Sequence, residues 1–114
     1  FGVTTLTSLS DNDTDIIFQR SALEQVSAML DLAEIAGIDG VVCSPHELEL
    51  VKNRDSLLSI TPGIRLKDSK DDQKRVMTPK KAIDLGADYL VIGRPITTSD
   101  DIKKSLNDIY ESIQ

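Results

Sequence analysis

Apolar residues along this chain gather into four short β-type runs: Val3 to Leu6, Gly40 to Cys43, Leu57 to Ile60 and Tyr89 to Ile92. The last three are almost continuously apolar. They lack the in–out alternation of a half-exposed strand, and that predicts parallel strands covered on both faces. Between the runs the spacing becomes helical, with clear end signals. Ser21-Ala22-Leu23-Glu24 reads as a capping box, followed by apolar Leu23, Val26, Leu30 and Ala33, with Gly37 as the stop. Ser44-Pro45-His46-Glu47 is a second capping box with proline at the first helical position. Thr78-Pro79 opens a third helix, which carries Ala82, Ile83 and Leu85 and stops at Gly86. A last helix begins near Ser99 and places Ile102, Leu106, Ile109 and Ile113 on one face.

The order is βα repeated four times, and a weak internal repeat supports it. Gly37-Ile38-Asp39-Gly40-Val41-Val42-Cys43-Ser44 resembles Gly86-Ala87-Asp88-Tyr89-Leu90-Val91-Ile92-Gly93: in both, a helix-ending glycine and an aspartate lead into a buried strand. Doubly wound sheets alternate β and α as well. A barrel is preferred because the residues suited to binding fall just after the strand ends, on the side where barrel sites form. The expected fold is therefore α/β, the C-terminal (βα)4 half of a TIM (β/α)8 barrel, with parallel strands, outer helices and residues 1–114 as one unit. A strand beginning almost at Phe1, which is not Met, reads as a piece of a longer protein.

Composition narrows the function. With 39% hydrophobic and 28% charged residues the chain suits one globular domain with a modest core. The formal net charge of -6 makes it a poor general binder of nucleic acid or anionic membrane. An anion must instead be held by a few local residues. Cys43 is the single cysteine, so there is no internal disulfide and no cysteine cluster for zinc. No apolar run has the length of a membrane span, and a reducing cytoplasm is the expected compartment.

Three segments carry candidate chemistry: Thr61-Pro62-Gly63-Ile64-Arg65, Asp72-Gln73-Lys74-Arg75 and Ile92-Gly93-Arg94-Pro95-Ile96-Thr97. Glycine lets backbone N–H groups approach an oxyanion, and arginine closes on it with a forked pair of donors. A lone arginine is better read as a surface residue paired with a nearby acid; the Pro-Gly-Ile and Gly-x-Pro contexts reverse that preference for Arg65 and Arg94. Leu66 to Lys74 is polar and aperiodic. Its composition reads as a solvated connection, and its place between two phosphate-type segments suits a lid. His46 reads as an exposed first-turn helix residue, and Cys43 as a packed core thiol without nucleophilic work.

Taken in order, these segments resemble the C-terminal half of the orotidine 5'-monophosphate decarboxylase family. Leu6-Thr7-Ser8 is similar to the segment after its fifth strand and Asp39 to Ser44 to its sixth strand. Thr61 to Arg65 is similar to the end of the seventh strand, Asp72 to Pro79 to its phosphate-gripping loop, and Gly86 to Ile96 to the eighth strand and phosphate loop. The resemblance implies that Thr7, Arg65, Gln73, Gly93 and Arg94 bind the substrate nucleotide, mainly at its phosphate, with Ser8 competing with Thr7 for its contact. It implies conversion of orotidine 5'-monophosphate to uridine 5'-monophosphate and carbon dioxide in pyrimidine synthesis, with no metal or organic cofactor, in a homodimer of the full enzyme. Two departures stand out. Asp71 occupies a position where many members carry glycine, adding negative charge to the phosphate-closing loop. The family's alternating Asp/Lys array, Asp-x-Lys-x-x-Asp, has no match, since Lys67, Lys70 and Lys74 lie in a loop of the wrong context. No catalytic residue is therefore expected in this chain, which alone should be inactive and should need a missing N-terminal half-barrel as partner. The alternatives are a fragment of another sugar-phosphate barrel enzyme, against which the Gln73 loop and Thr61 to Arg65 argue, and a non-catalytic half-barrel that binds nucleotide or pairs with another protein.

Overall fold

The computed structural model describes residues 1–66 and 77–114. Its four strands are β1 (Gly2–Val3), β2 (Gly40–Val42), β3 (Leu58–Thr61) and β4 (Tyr89–Leu90), all parallel, in the spatial order β1-β2-β3-β4. Each apolar run thus yields a strand shifted or shortened by a residue or two. Backbone pairing continues past the ends of three of them, from Thr4 N–H to Val42 O (3.2 Å), Cys43 N–H to Ile60 O (3.0 Å) and Val91 N–H to Thr61 O (2.9 Å). The first run departs most: Leu6 leaves the sheet for a tight turn, closed by Leu9 N–H to Leu6 O at 3.0 Å.

The helices are α1 (Asp11–Phe18), α2 (Ala22–Ala36), α3 (Leu48–Lys52), α4 (Pro79–Asp84), α5 (Arg94–Thr97) and α6 (Ile102–Ser112). Capping explains their starts. Ser21 accepts from the Glu24 N–H while the Glu24 carboxylate accepts from Ser21, and Ser44 and Glu47 make the same exchange ahead of a 3-10 turn over Pro45–Glu47. Two starts differ from the expected pattern. α1 was not foreseen, yet Ser10 and Asp13 form a third capping box there. The final helix begins at Asp101, whose carboxylate accepts from Lys104 N–H at 2.9 Å, with the single turn of α5 standing before it. Gly37 (φ 66°) and Gly86 (φ 93°) close α2 and the turn after α4 in the left-handed region, where a side chain would be strained.

The core lies between the sheet and these helices. Val41 and Cys43 of the β2 run pack with Val26, Leu30 and Ala33 of α2, Leu48 and Val51 of α3, and Ala82 of α4. Ser59 and Thr61 of β3 share that buried face. The opposite face of the sheet is bare. The register aligns Val3, Val42, Ile60 and Tyr89 in one row, and Val3 (58%), Leu58 (41%), Tyr89 (55%) and Val91 (49%) remain exposed. The expectation of strands covered on both faces is thus met on one face only. This bare face is the one that turns inward when such a sheet closes into a barrel. The apolar face of α6 is half covered: Ile109 is buried, while Ile102 (52%) and Leu106 (48%) stay exposed.

Asp88 locks β4 to β3. Its carboxylate accepts from the Ser59 N–H (2.8 Å) and hydroxyl (2.9 Å), and its own N–H donates back to the Ser59 oxygen at 2.9 Å. Partial burial pushes the carboxyl upward, but the two Ser59 bonds and the Lys52 ammonium outweigh it and hold the pKa below the ordinary carboxylate value. Asp88→Ala orphans a fully buried hydroxyl and amide, so it is expected to cost about 2 kcal/mol, read as a lower urea midpoint. Because the folded pKa is the lower one, this contribution is complete above the ordinary carboxylate pKa and is lost as pH falls through the folded value. A midpoint that Asp88→Ala lowers equally at neutral and strongly acid pH would remove the ionised carboxylate from the account.

Cys43 is 2% exposed, and burial pushes its thiol up to about 11. In the folded chain it is therefore expected to resist a thiol reagent at neutral pH and to react at once in denaturant. Fast reaction without denaturant would mean that the β2–α2–α3 core is open.

Candidate functional site

In a parallel sheet, all segments that follow strands leave from the same edge. Thr7 lies four positions beyond Val3, Arg65 four beyond Thr61 and Arg94 four beyond Leu90, where Val3, Thr61 and Leu90 are the last residues of their strands. Thr61 and Leu90 are register partners, so Arg65 and Arg94 lie on segments that leave neighbouring strands at the same edge of the sheet. Thr7 stands at the same edge above β1, with β2 between it and β3. Thr7 and Ser8 both sit in the exposed turn that leads to α1. Gln73 and Asp71, with Lys67, Lys70 and Lys74, lie outside the described residues.

The arm carrying Arg65 is fixed by what precedes it. Gly63 turns at φ 81°, a conformation that favours glycine, and Ile64 then drops into the core at 1% exposure. Ile64 bridges to Met77 in parallel fashion, and Arg65 N–H donates to Met77 O at 3.0 Å. The half-buried guanidinium spends one N–H on its neighbour's carbonyl, Nη1 to Ile64 O at 3.3 Å.

The arm carrying Arg94 is fixed from behind. The Gly93 carbonyl accepts from Ile96 N–H (2.9 Å) and Thr97 N–H (3.1 Å), which winds α5. The Thr98 hydroxyl donates to Arg94 O and the buried Ser105 hydroxyl to Pro95 O, both at 2.8 Å. Gly93 is open on its side-chain face: among the described residues an added Cβ would meet nothing within 4 Å. At Gly40 the same test runs into the Leu58 carbonyl and the Phe1 ring, so that glycine is demanded by packing. The described residues make no such demand at Gly93.

The electrostatics separate these arginines from an ordinary surface pair. Arg54 shows what a structural arginine does here: it donates to Leu50 O and Ser27 O and pairs with Asp31 and Glu34. Arg65 and Arg94 make no ion pair among the described residues, in a chain with 19 acidic and 13 basic residues. Two guanidinium groups at one edge, each free of ion pairs among the described residues, are suited to hold an anion through forked, charge-assisted bonds. Among the described residues no group of three His, Cys, Asp or Glu side chains is placed to hold a metal ion. His46 is exposed, as expected. Sequence patterns missed the supports rather than the contacts. Met77 and Ser105 hold the two arginine arms, and neither carries a motif: Met77 acts through its backbone, to Gly63 and Arg65, and Ser105 through one hydroxyl bond to Pro95 O.

Comparison with known proteins bears on what the edge binds. The model for the family described as Orotidine 5'-phosphate decarboxylase / HUMPS matches residues 1–109. The chain is 48% identical over 123 residues to the orotidine 5'-phosphate decarboxylase of Dictyoglomus thermophilum, covering 97% of this chain and 50% of that one. It is 50% identical over 117 residues to that of Coxiella burnetii, covering 99% and 50% respectively. The crystal structure of orotidine 5'-phosphate decarboxylase from Lactobacillus acidophilus superposes with a TM-score of 0.76 at 34% identity, over 98% of this chain and 47% of that one. That from Metallosphaera sedula, at 24% identity and a TM-score of 0.63, shares the fold. The chain spans about half the length of the curated relatives it matches.

Proposed function

The chain belongs to the orotidine 5'-phosphate decarboxylase / HUMPS family, and on that premise we propose that it is the substrate-gripping half of such a decarboxylase. Residues 1–114 act as one (βα)4 unit. Arg65, Gly93 and Arg94, with Gln73 from the segment between them, hold the 5'-phosphate of orotidine 5'-monophosphate, and Thr7 contacts the nucleotide nearer its base. The observation that carries this reading is the pair of arginines on segments that follow adjacent parallel strands, neither ion-paired among the described residues.

The reaction breaks the bond between the pyrimidine ring and its carboxylate, releases carbon dioxide and places a proton on the same ring carbon. This chain contains no Asp-x-Lys-x-x-Asp array to supply that proton, so the array belongs to a further half-barrel. The role of the present half is energetic. The phosphate is remote from the reacting carbon, and binding energy realised there can draw the site closed and favour the transition state at the ring. The assembled enzyme works in the cytoplasm as a homodimer and uses no metal or organic cofactor.

The test is a calorimetric comparison of two ligands on the barrel assembled with an N-terminal half from a relative. Uridine 5'-monophosphate is expected to bind at least about 100-fold more tightly than uridine, since two or more charge-assisted bonds contribute roughly 1.5–3 kcal/mol each. Equal affinity for the two would overturn the phosphate assignment.

A further inference from the structure

We infer that Ser105 is a positioning residue for the phosphate grip: its hydroxyl, reaching from α6 to the Pro95 carbonyl, fixes the turn on which Arg94 stands. The inference rests on the phosphate reading of Arg94 and adds to it a residue outside the binding edge.

α5 is four residues long, from Arg94 to Thr97, and none of them is buried. A single helical turn is poorly stable by itself, because it fixes many backbone dihedrals for few hydrogen bonds. Its internal bonds, from Ile96 N–H and Thr97 N–H to Gly93 O and from Thr98 N–H to Arg94 O, wind the turn but do not orient it against the sheet. The Thr98 hydroxyl also closes locally, onto Arg94 O. Among the described residues one hydrogen bond joins α5 to another element: Ser105 Oγ donates to Pro95 O at 2.8 Å, across ten positions of the chain. Pro95 directly follows Arg94, so this bond is anchored beside the residue that carries the guanidinium. Proline has no N–H, and its carbonyl is the one backbone group there that a neighbour can hold.

Ser105 is unusual for its place. Together with Ile109, one turn further on, it forms the buried line of α6. Such a helix position is ordinarily apolar, and a hydroxyl placed there ordinarily turns back to a carbonyl of its own helix. Thr14 does so to Asp11 O, and Ser112 to Ile109 O. The Ser105 hydroxyl leaves its helix instead. Its backbone needs no help from the side chain, since Ser105 N–H donates to Asp101 O at 3.0 Å. α6 has eleven residues and packs against α4, so the bond ties a weak turn to a stronger element. The advantage of arginine at a phosphate is its fork, and a fork depends on the direction from which it arrives. A turn free to rock would keep the charge and lose the alignment.

The test uses the barrel assembled with an N-terminal half from a relative, titrated by calorimetry with uridine 5'-monophosphate and with uridine. Ser105→Ala keeps the helix and removes the donor. It is expected to weaken uridine 5'-monophosphate binding about fivefold, the fold-change that one neutral hydrogen bond represents, and uridine binding by less than about twofold. Ser105→Thr keeps the hydroxyl and should hold nucleotide binding within about twofold of the unaltered barrel. In an Arg94→Ala background Ser105→Ala should have no further effect on the nucleotide, because a residue that acts through Arg94 then has nothing to position. If Ser105→Ala does not assemble, Ser105→Cys, of nearly the same shape with a weaker donor, is read by the same ratio of ligands and should shift it in the same direction. A phosphate preference present in the unaltered barrel and undiminished by the Ser105 variants would overturn this inference and leave the phosphate reading standing. So would equal losses for nucleotide and nucleoside, or a Ser105 effect that persists without Arg94, since each makes Ser105 a support of the fold alone. Equal affinity of the unaltered barrel for the two ligands would remove the phosphate reading and this inference with it.

Discussion

Arg94→Ala in the assembled barrel is expected to weaken binding of uridine 5'-monophosphate about 100-fold and to leave uridine binding within about twofold. The argument is one of geometry and charge. Arg94 opens α5 directly after Gly93, on an arm braced by Thr98 and Ser105, and no carboxylate among the described residues competes for its guanidinium. Two forked bonds to a phosphate oxygen pair, at roughly 1.5 kcal/mol or more each, amount to about 3 kcal/mol, or two decades in affinity. Arg94 is exposed, so its loss leaves no buried group orphaned and the fold should stand. Arg94→Lys should recover only part of the loss, because an ammonium restores the charge without the fork. The nucleoside is the control. Equal losses for nucleotide and nucleoside by calorimetry would mean that Arg94 acts through the fold.

The 114-residue chain alone is expected to form no uridine 5'-monophosphate from orotidine 5'-monophosphate, and adding a half-barrel that carries the Asp/Lys array is expected to restore turnover. Protonation at the ring carbon needs an acid held against it, and a general acid or base typically contributes 10²–10⁴-fold by itself. Without the array no residue of this chain is assigned that task. Phosphate binding remains, but uniform binding of substrate and transition state does not accelerate the chemical step. Robust turnover by the purified chain, abolished by a substitution within it, would sink the assignment. Lys67, Lys70 and Lys74 would then be the residues to replace first.

Much of the fold was legible because its signals are local. Ser21 with Glu24 and Ser44 with Glu47 form the capping boxes their spacing predicts, and Gly37 and Gly86 adopt left-handed φ where the helical patterns stop. α1 was missed although Ser10-x-x-Asp13 is present, because its apolar positions, Ile16 and Ile17, are adjacent and give no helical period. On α6 the sequence pattern identified an apolar face but could not say how much of it has something to pack against. Half of it does: Ile109 is buried, while Ile102 and Leu106 are not.

The sequence by itself determined the βα order, the parallel class of the strands, the family, and which residue types follow which strand. Each of these depends on neighbours within a few positions of the chain or on a motif's own spacing. Tertiary structure alone decided three other matters. It set Arg65 and Arg94 on segments that follow adjacent strands, because the Thr61–Leu90 register is a pairing across nearly thirty positions of sequence. It left both arginines without carboxylate partners among the described residues while Arg54 was tied to α2, because ion pairing depends on which acids the packing brings within reach. It also divided near-continuous apolar strands into a buried face and a bare one. Alternate side chains leave a strand on opposite sides, and only the side bearing helices has anything to bury them.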